Sequence, residues 1–143
     1  MQTDQALSQT ELNDLRCVAG LMIPASVELA MPGADDTAVI ADIAATIGRD
    51  LADARTALAA ITGLARMPQA ARDAAVAAWR AAGGAPLATL SRVILQCYYR
   101  DDRVVRALGR EARAPFPLGN VLEQGDWSLL DPVRARAPIW RKI

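Results

Sequence analysis

Apolar positions recur at helical spacing from residue 8 onward. The run Ser-Gln-Thr-Glu at residues 8–11 is a capping-box pattern, so it predicts the start of a first helix. Pro24 predicts the end of that helix near residues 22–23, and residues 24–35 form a loop with the turn signal Pro32-Gly33. The apolar stripe of this helix is Leu12, Leu15, Ala19 and Met22.

The second and third helices follow this loop. The second begins at an N-cap supplied by Asp35, Asp36 and Thr37, and Gly48 either breaks or bends this helix. The third helix is predicted over residues 50–65. The inward stripe of the second helix is Val39 or Ile40, Ile43 and Ile47, and that of the third is Leu51, Ala54, Leu58, Ile61 and Ala65.

Three further helices are predicted before residue 110. Pro68 opens an alanine-rich fourth helix that ends at Gly83-Gly84, Pro86 opens the fifth, and residues 102–108 form a short sixth. The small-residue face of the fourth helix is Ala71, Ala75, Ala78 and Ala82. The stripe of the fifth is Leu87, Leu90, Ser91, Ile94, Leu95 and Tyr98.

Residues 110–143 differ in character because they contain four of the eight prolines and two of the three tryptophans but no long helical stripe. Residues 114–119 are expected to be extended. The apolar side chains of this tail must be buried either on the helices or on a partner, and a partner is preferred. The prediction is therefore an all-α bundle of five to six helices over residues 1–109, with an irregular tail over 110–143.

The charges and cysteines narrow the function classes. The net charge is zero, so nothing steers the chain as a whole toward nucleic acid or an anionic membrane. No secretory signal, twin arginine near the start or membrane-length apolar run is found, so a cytoplasmic location is expected. Cys17 and Cys97 fit no metal spacing and are expected to be free, buried thiols, with a disulfide as the alternative.

Most familiar chemistry is excluded by what the sequence lacks. With no histidine, Ser-His-Asp and Cys-His catalysis and histidine metal ligation are ruled out. Neither G-x-G-x-x-G nor the P-loop pattern occurs. We therefore predict no catalytic, cofactor-binding or metal-binding residue in this chain.

A few polar and aromatic groups remain as candidates. Asp101 and Asp102 beside Arg100 and Arg103 resemble an acid–base cluster, but a solvated helix cap is the preferred interpretation. The aromatic residues Trp79, Tyr98 and Tyr99 suit stacking on a flat ligand, although Tyr98 also continues a core stripe. In the tail, Arg134, Arg136 and Arg141 are candidates for phosphate binding, but partner carboxylates or bulk solvent are the preferred interpretation. Glu123 and Asp126 are a candidate carboxylate pair, but nothing in their turn-rich stretch desolvates them.

Several short motifs resemble the gluconate 2-dehydrogenase subunit 3 family. They are residues 15–24 ending in Ile23-Pro24, the turn Pro32-Gly33-Ala34, the run Cys97-Tyr98-Tyr99-Arg100-Asp101, and residues 125–132 (Gly-Asp-Trp-Ser-Leu-Leu-Asp-Pro). The resemblance implies a small helical subunit, without cofactor, that accompanies a larger FAD-dependent oxidoreductase of the glucose-methanol-choline class. Members of the family often carry a twin-arginine export signal. This chain lacks such a signal, so export is not expected, and the periplasm is kept only as the alternative location. A haem-bearing third subunit is not expected either.

The sequence therefore predicts a non-catalytic accessory subunit in a hetero-oligomer, with no nucleic-acid partner and no membrane insertion. A stand-alone helical ligand-binding or regulatory protein is the alternative, and a small enzyme that uses only carboxylates and arginines ranks last. The predicted partner-binding residues are Phe116, Trp127, Leu129, Leu130, Arg134, Arg136 and Trp140.

Overall fold

The regular structure of the chain is helical. The computed structural model describes residues 6–114, 116–117, 119 and 124–136. Within these residues the helices are joined by turns. One isolated antiparallel β-bridge pairs Ser26 with Met31. The all-α prediction is confirmed. The chain divides into two units, residues 1–112 and 113–143.

Residues 6–112 form six α-helices, most of which begin and end at the predicted signals. At the start of the first, the Ser8 hydroxyl accepts the Glu11 amide at 3.3 Å and the Glu11 carboxylate accepts the Ser8 amide at 2.6 Å, so the capping box is confirmed. Gly48 breaks the helical path after the second helix. It adopts a φ of 36° and begins a 3₁₀ turn that precedes the third helix. The helices are α1 (Gln9–Met22), α2 (Thr37–Thr46), α3 (Leu51–Ala59), α4 (Gln69–Ala82), α5 (Ala85–Arg100) and α6 (Asp102–Ala107).

The core of this unit lies around α5, which packs against α3 and α2, and α1 also packs against both α3 and α2. Among the described residues, every buried hydrophobic side chain lies between Leu7 and Val104. Tyr98 is the largest fully buried side chain, and its hydroxyl donates to the Pro32 carbonyl at 2.9 Å. This bond ties α5 to the loop between α1 and α2.

The buried face of α5 is rotated from the predicted stripe. Leu95 is 40% exposed and Ser91 only partly buried, whereas Val93 and Cys97 are buried. The reason is that α5 is covered by α2 as well as α3, so the face toward α2 must also be apolar. The buried set is Leu90, Val93, Ile94, Cys97 and Tyr98.

The predicted third helix over residues 50–65 is too long, since α3 ends at Ala59. Gly63 adopts φ of 83°, and a 3₁₀ turn over Leu64–Arg66 follows. The buried carboxylate of Asp14 accepts the amides of Gly63 at 2.8 Å and Ala65 at 2.9 Å. These amides would otherwise donate to carbonyls four residues earlier in a continued helix, so a contact from α1 ends α3.

The alanine face of α4 is mostly exposed, and only Ala75 of its four residues is partly buried. Val76 and Trp79 are the buried residues of this helix. The indole N–H of Trp79 donates to the Ala57 carbonyl at 3.0 Å, in the last turn of α3. A single bulky edge, rather than the small-residue face, therefore attaches α4 to the core.

The second unit contains a short helical stretch that the sequence pattern did not predict. A 3₁₀ helix spans Trp127–Leu130, and it continues into α7 (Asp131–Arg134). Pro132 fits the first turn of α7 because its missing N–H is not needed there. The described part of the tail is thus locally folded instead of wholly irregular.

Candidate partner-binding segment and polar sites

The tail segment, defined here as residues 124–136, is shaped by local hydrogen bonds. The Asp126 carboxylate accepts the Ser128 amide at 3.0 Å and the Ser128 hydroxyl at 2.6 Å. The two bonds from Ser128 favour the ionised form and lower the pKa of Asp126. At the other end, Arg134 lies 3.3 Å from Asp131 in an exposed pair. These contacts within the tail segment stabilise its short helical stretch.

Large apolar side chains of the tail segment face solvent. Trp127 is 62% exposed, Leu129 75% and Val133 58%, and Leu130 is also exposed. Phe116, in the preceding turn, is 87% exposed. A cluster of exposed large apolar residues on a short folded element is typical of an interaction site, because contact between apolar surface and water is unfavourable and a partner would remove it.

Six of the seven predicted partner-binding residues lie in described parts of the chain, and all six are exposed. Arg134 and Arg136 are exposed beside the apolar residues of the tail segment. Trp140 lies outside the described residues, as do Glu123 and Arg141 of the predicted polar candidates.

The three aromatic residues of the alternative hypothesis do not converge on one pocket. Trp79 is buried and bonded to α3, and Tyr98 is buried and bonded to Pro32. Tyr99 is half exposed, and its ring meets the edge of Tyr98 at a centroid distance of 5.2 Å. The interpretation of Tyr98 as a core residue is confirmed, so these residues offer no shared stacking surface.

The acidic and basic residues around the start of α6 form ion pairs. Asp101 caps α6 by accepting the Arg103 amide at 2.8 Å, which confirms the predicted cap. The Arg103 guanidinium bridges Asp101 at 2.8 Å and Asp36 at 2.7 Å. Its hydrogen bonds lower the pKa of both carboxylates. Arg100 holds Asp42 through two bonds of 2.6 and 2.7 Å, which raise the pKa of Arg100.

This cluster lines a shallow cleft of about 390 Å³. The carboxylates of Asp36 and Asp101 have lowered pKa values and already bind the Arg103 guanidinium, so they are poorly suited to exchange protons with a substrate near neutral pH. The cluster joins the start of α2 to the junction of α5 and α6, which is a structural task.

The two cysteines are free thiols, as expected from their spacing. Cys97 is buried, its Sγ lies 3.5 Å from the Thr46 hydroxyl, and desolvation raises the pKa of the thiol. Cys17 is only partly buried, so the expectation of two buried thiols is right for one of them. Reactivity toward thiol reagents should therefore reside at Cys17.

A larger cleft of about 480 Å³ lies beside α1. Its polar lining comes from three parts of the first unit and was not predicted. Leu21, Pro24 and Ala25 supply part of the apolar lining. The polar lining residues are Asn13, Arg16, Cys17, Asp35 and Arg72.

The residues that the structure describes contain no group of three or more His, Cys, Asp or Glu side chains placed to hold a metal ion. Over the same residues, no helix has the length and apolar character needed to cross a bilayer.

A scan against protein-family models, a search of curated proteins and a search of solved structures each gave no significant match to this chain.

Proposed function

We propose that this chain is a non-catalytic small subunit that binds and stabilises a larger FAD-dependent oxidoreductase acting on CH–OH groups. The observation that carries the proposal is the exposure of Trp127, Leu129 and Val133 on one short folded element. Trp127 and Leu129 fall within the 125–132 motif that resembles the tails of gluconate 2-dehydrogenase subunit 3 proteins, and Val133 follows it directly. The exposure of these side chains supports a partner surface, and the resemblance supports the kind of partner that is proposed.

The tail segment has the composition of an interface anchor with a charged rim. Trp127 and Leu129 are the anchors, since buried tryptophans at interface centres commonly contribute at least about 2 kcal/mol of binding free energy. Arg134 and Arg136 are the rim residues. The exposed pair of Arg134 with Asp131 is weak in water, so a partner carboxylate can replace it at little cost.

The redox chemistry of the complex belongs to the partner, where FAD would accept the hydride from the substrate carbon. The sequence of this chain has no glycine-rich dinucleotide loop. Two of its three predicted aromatic candidates are held in the core. Its own residues then act by covering apolar surface of the large subunit and by stabilising the folded state of that subunit through binding.

The test is co-expression with the adjacent large reading frame, with the tag on this chain, followed by size exclusion and an absorbance scan. A co-eluting species with flavin bands is expected. The double variant Trp127→Ala, Leu129→Ala should lose the flavin-containing species. Leu29→Ala is the matched control because Leu29 is 61% exposed in the loop between α1 and α2, outside the tail segment.

A colourless monomer that elutes alone in the presence of the large chain would overturn the proposal and favour a stand-alone binding protein. Loss of the complex in Leu29→Ala but not in the double variant would place the interface on the first unit instead.

A further inference from the structure

The cleft beside α1 brings together two arginines that are distant in sequence. Arg16 comes from the middle of α1, and Arg72 comes from the first turns of α4. Both line the cleft of about 480 Å³, within the size range of pockets that hold small molecules. The tail segment supplies no lining residue, so the inference does not depend on the proposed function.

Each of these guanidinium groups keeps unused hydrogen-bond donors. Among the described residues, Arg16 bonds through Nη1 alone, to the Asp35 carbonyl at 3.2 Å and the Thr37 hydroxyl at 3.4 Å. Over the same residues, Arg72 bonds through Nη2 alone, to the Met67 carbonyl at 3.1 Å and, more weakly, the Ala65 carbonyl at 3.5 Å. The Nε of Arg72 is buried without an acceptor among the described residues. A buried donor of this kind is rare and calls for a partner.

The acceptors of Arg16 and Arg72 are also neutral, which distinguishes them from other arginines of the unit. Arg92, Arg100 and Arg103 each lie within 2.8 Å of a carboxylate oxygen. In the described part of the chain, neither Arg16 nor Arg72 forms an ion pair. Two uncompensated positive charges therefore face one cleft.

Asp35 lines the same cleft, but among the described residues its carboxylate forms no ion pair with either guanidinium group. Its side chain lies against Gly20 of α1, where a Cβ atom would come within 3.1 Å of the Asp35 carboxyl carbon. The absence of a side chain at Gly20 thus makes room for the carboxylate. The charge of the cleft stays positive, with two guanidinium groups against one carboxylate.

We propose that this cleft binds a small oxyanion, with Arg16 and Arg72 donating to its oxygens. Planar guanidinium groups suit the paired oxygens of a carboxylate or a phosphate, and charge-assisted bonds of this kind are the strong ones. The apolar lining from Leu21, Pro24 and Ala25 would hold the carbon body of an organic acid. Carboxylate and phosphate share the chemistry that the site recognises, so the experiment separates them.

Cys17 provides a reporter inside the cleft. The full-length chain is treated with the neutral reagent N-ethylmaleimide, and the modified cysteines are identified by mass spectrometry. Succinate and inorganic phosphate are titrated in separate arms at constant ionic strength, with chloride as the reference anion. Modification of Cys17 should slow in a saturable way with one of the two anions, and not with chloride.

The Arg16→Gln variant should weaken this protection about tenfold or more, as expected for the loss of a charge-assisted bond. Arg66→Gln is the matched control, because Arg66 is exposed in the 3₁₀ turn after α3, does not line the cleft and removes the same charge. In Arg66→Gln, the anion should protect Cys17 as strongly as it does in the native chain. In Arg16→Lys, which keeps the charge but loses the planar guanidinium, the protection of Cys17 should be weaker than in the native chain and stronger than in Arg16→Gln.

Absence of protection by both anions would overturn the proposal, and so would equal protection by chloride. Unchanged protection in both Arg16 variants would also overturn it, because the anion would then bind elsewhere. Modification of the buried Cys97 marks unfolded protein, so a variant that fails to fold is recognised, and the other Arg16 variant then decides.

Discussion

At the scale of single residues, Asp14 links the first helix to the turn that follows the third. Its side chain is 2% exposed, and among the described residues it is the one charged side chain that is buried. A buried carboxylate is costly unless it is hydrogen-bonded, and here two backbone amides of the turn after α3 satisfy it. One side chain on α1 thereby fixes the end of α3 and the path of the chain toward α4.

The Asp14→Ala variant should lower the free energy of unfolding by about 3 kcal/mol, because two partly buried amides lose their acceptor. Asp14→Asn keeps one acceptor oxygen and should cost less. The measurement is urea denaturation followed by circular dichroism. Asp102→Ala is the control, since Asp102 forms only an exposed pair with Arg106 and should change stability by less than about 1 kcal/mol. Equal losses in the two alanine variants would contradict the assigned role of Asp14.

At the scale of elements, local sequence signals predicted helix starts better than helix faces and ends. The capping residues of α1, α2 and α6 are recognisable because a cap and its helix are neighbours in sequence. The end of α3 depends on Asp14, and the face of α5 depends on α2 as well as α3. Both are tertiary effects, so periodicity in one segment could not predict them.

The ion pairs of Arg103 should make stability depend on pH in a defined direction. Hydrogen bonds from Arg103 lower the pKa of Asp36 and Asp101 below the ordinary value of 3.8. Carboxylates with depressed pKa values contribute stability that is present above pH 3.8 and is lost as the pH falls through the lowered values. In Arg103→Gln, the fall of the free energy of unfolding below pH 4 should therefore be shallower than in the native chain.

The comparison uses urea denaturation from pH 7 to pH 2.5, with Arg106→Gln as the control because its pair with Asp102 is exposed. Equal slopes in acid for Arg103→Gln and the native chain would show that Asp36 and Asp101 titrate without help from Arg103.

The attachment of α4 rests on its one bulky edge. The Trp79 N–H satisfies the Ala57 carbonyl, one of the last carbonyls of α3, which have no partner within that helix. Trp79→Phe should cost about 1–2 kcal/mol through the lost bond. It should also speed hydrogen exchange in α4 more than in α1 or α5. Trp127→Phe, at an exposed position, should leave stability and exchange unchanged within about 0.5 kcal/mol.

At the scale of the whole molecule, the two candidate sites differ in how far sequence could predict them. The tail segment is continuous in sequence, so its tryptophan and leucines could be recognised as apolar groups without a helical stripe. The cleft beside α1 could not be predicted from the sequence, because Arg16 and Arg72 belong to different helices and neither lies in a recognised chemical motif. Their shared cleft depends on the turn after α3, which Asp14 holds.

The division of the chain predicts that folding and partner binding can be separated. Every buried hydrophobic side chain in the described residues lies between Leu7 and Val104, so deletion of residues 113–143 removes none of them. The truncated chain should unfold cooperatively at a urea midpoint close to that of the full chain, since surface deletions leave the buried area unchanged. It should also fail to elute with the flavin-containing partner, because the tail segment is gone. A truncated chain that still binds would move the interface to residues 1–112. One that no longer folds would show that the tail contributes to the core of the first unit.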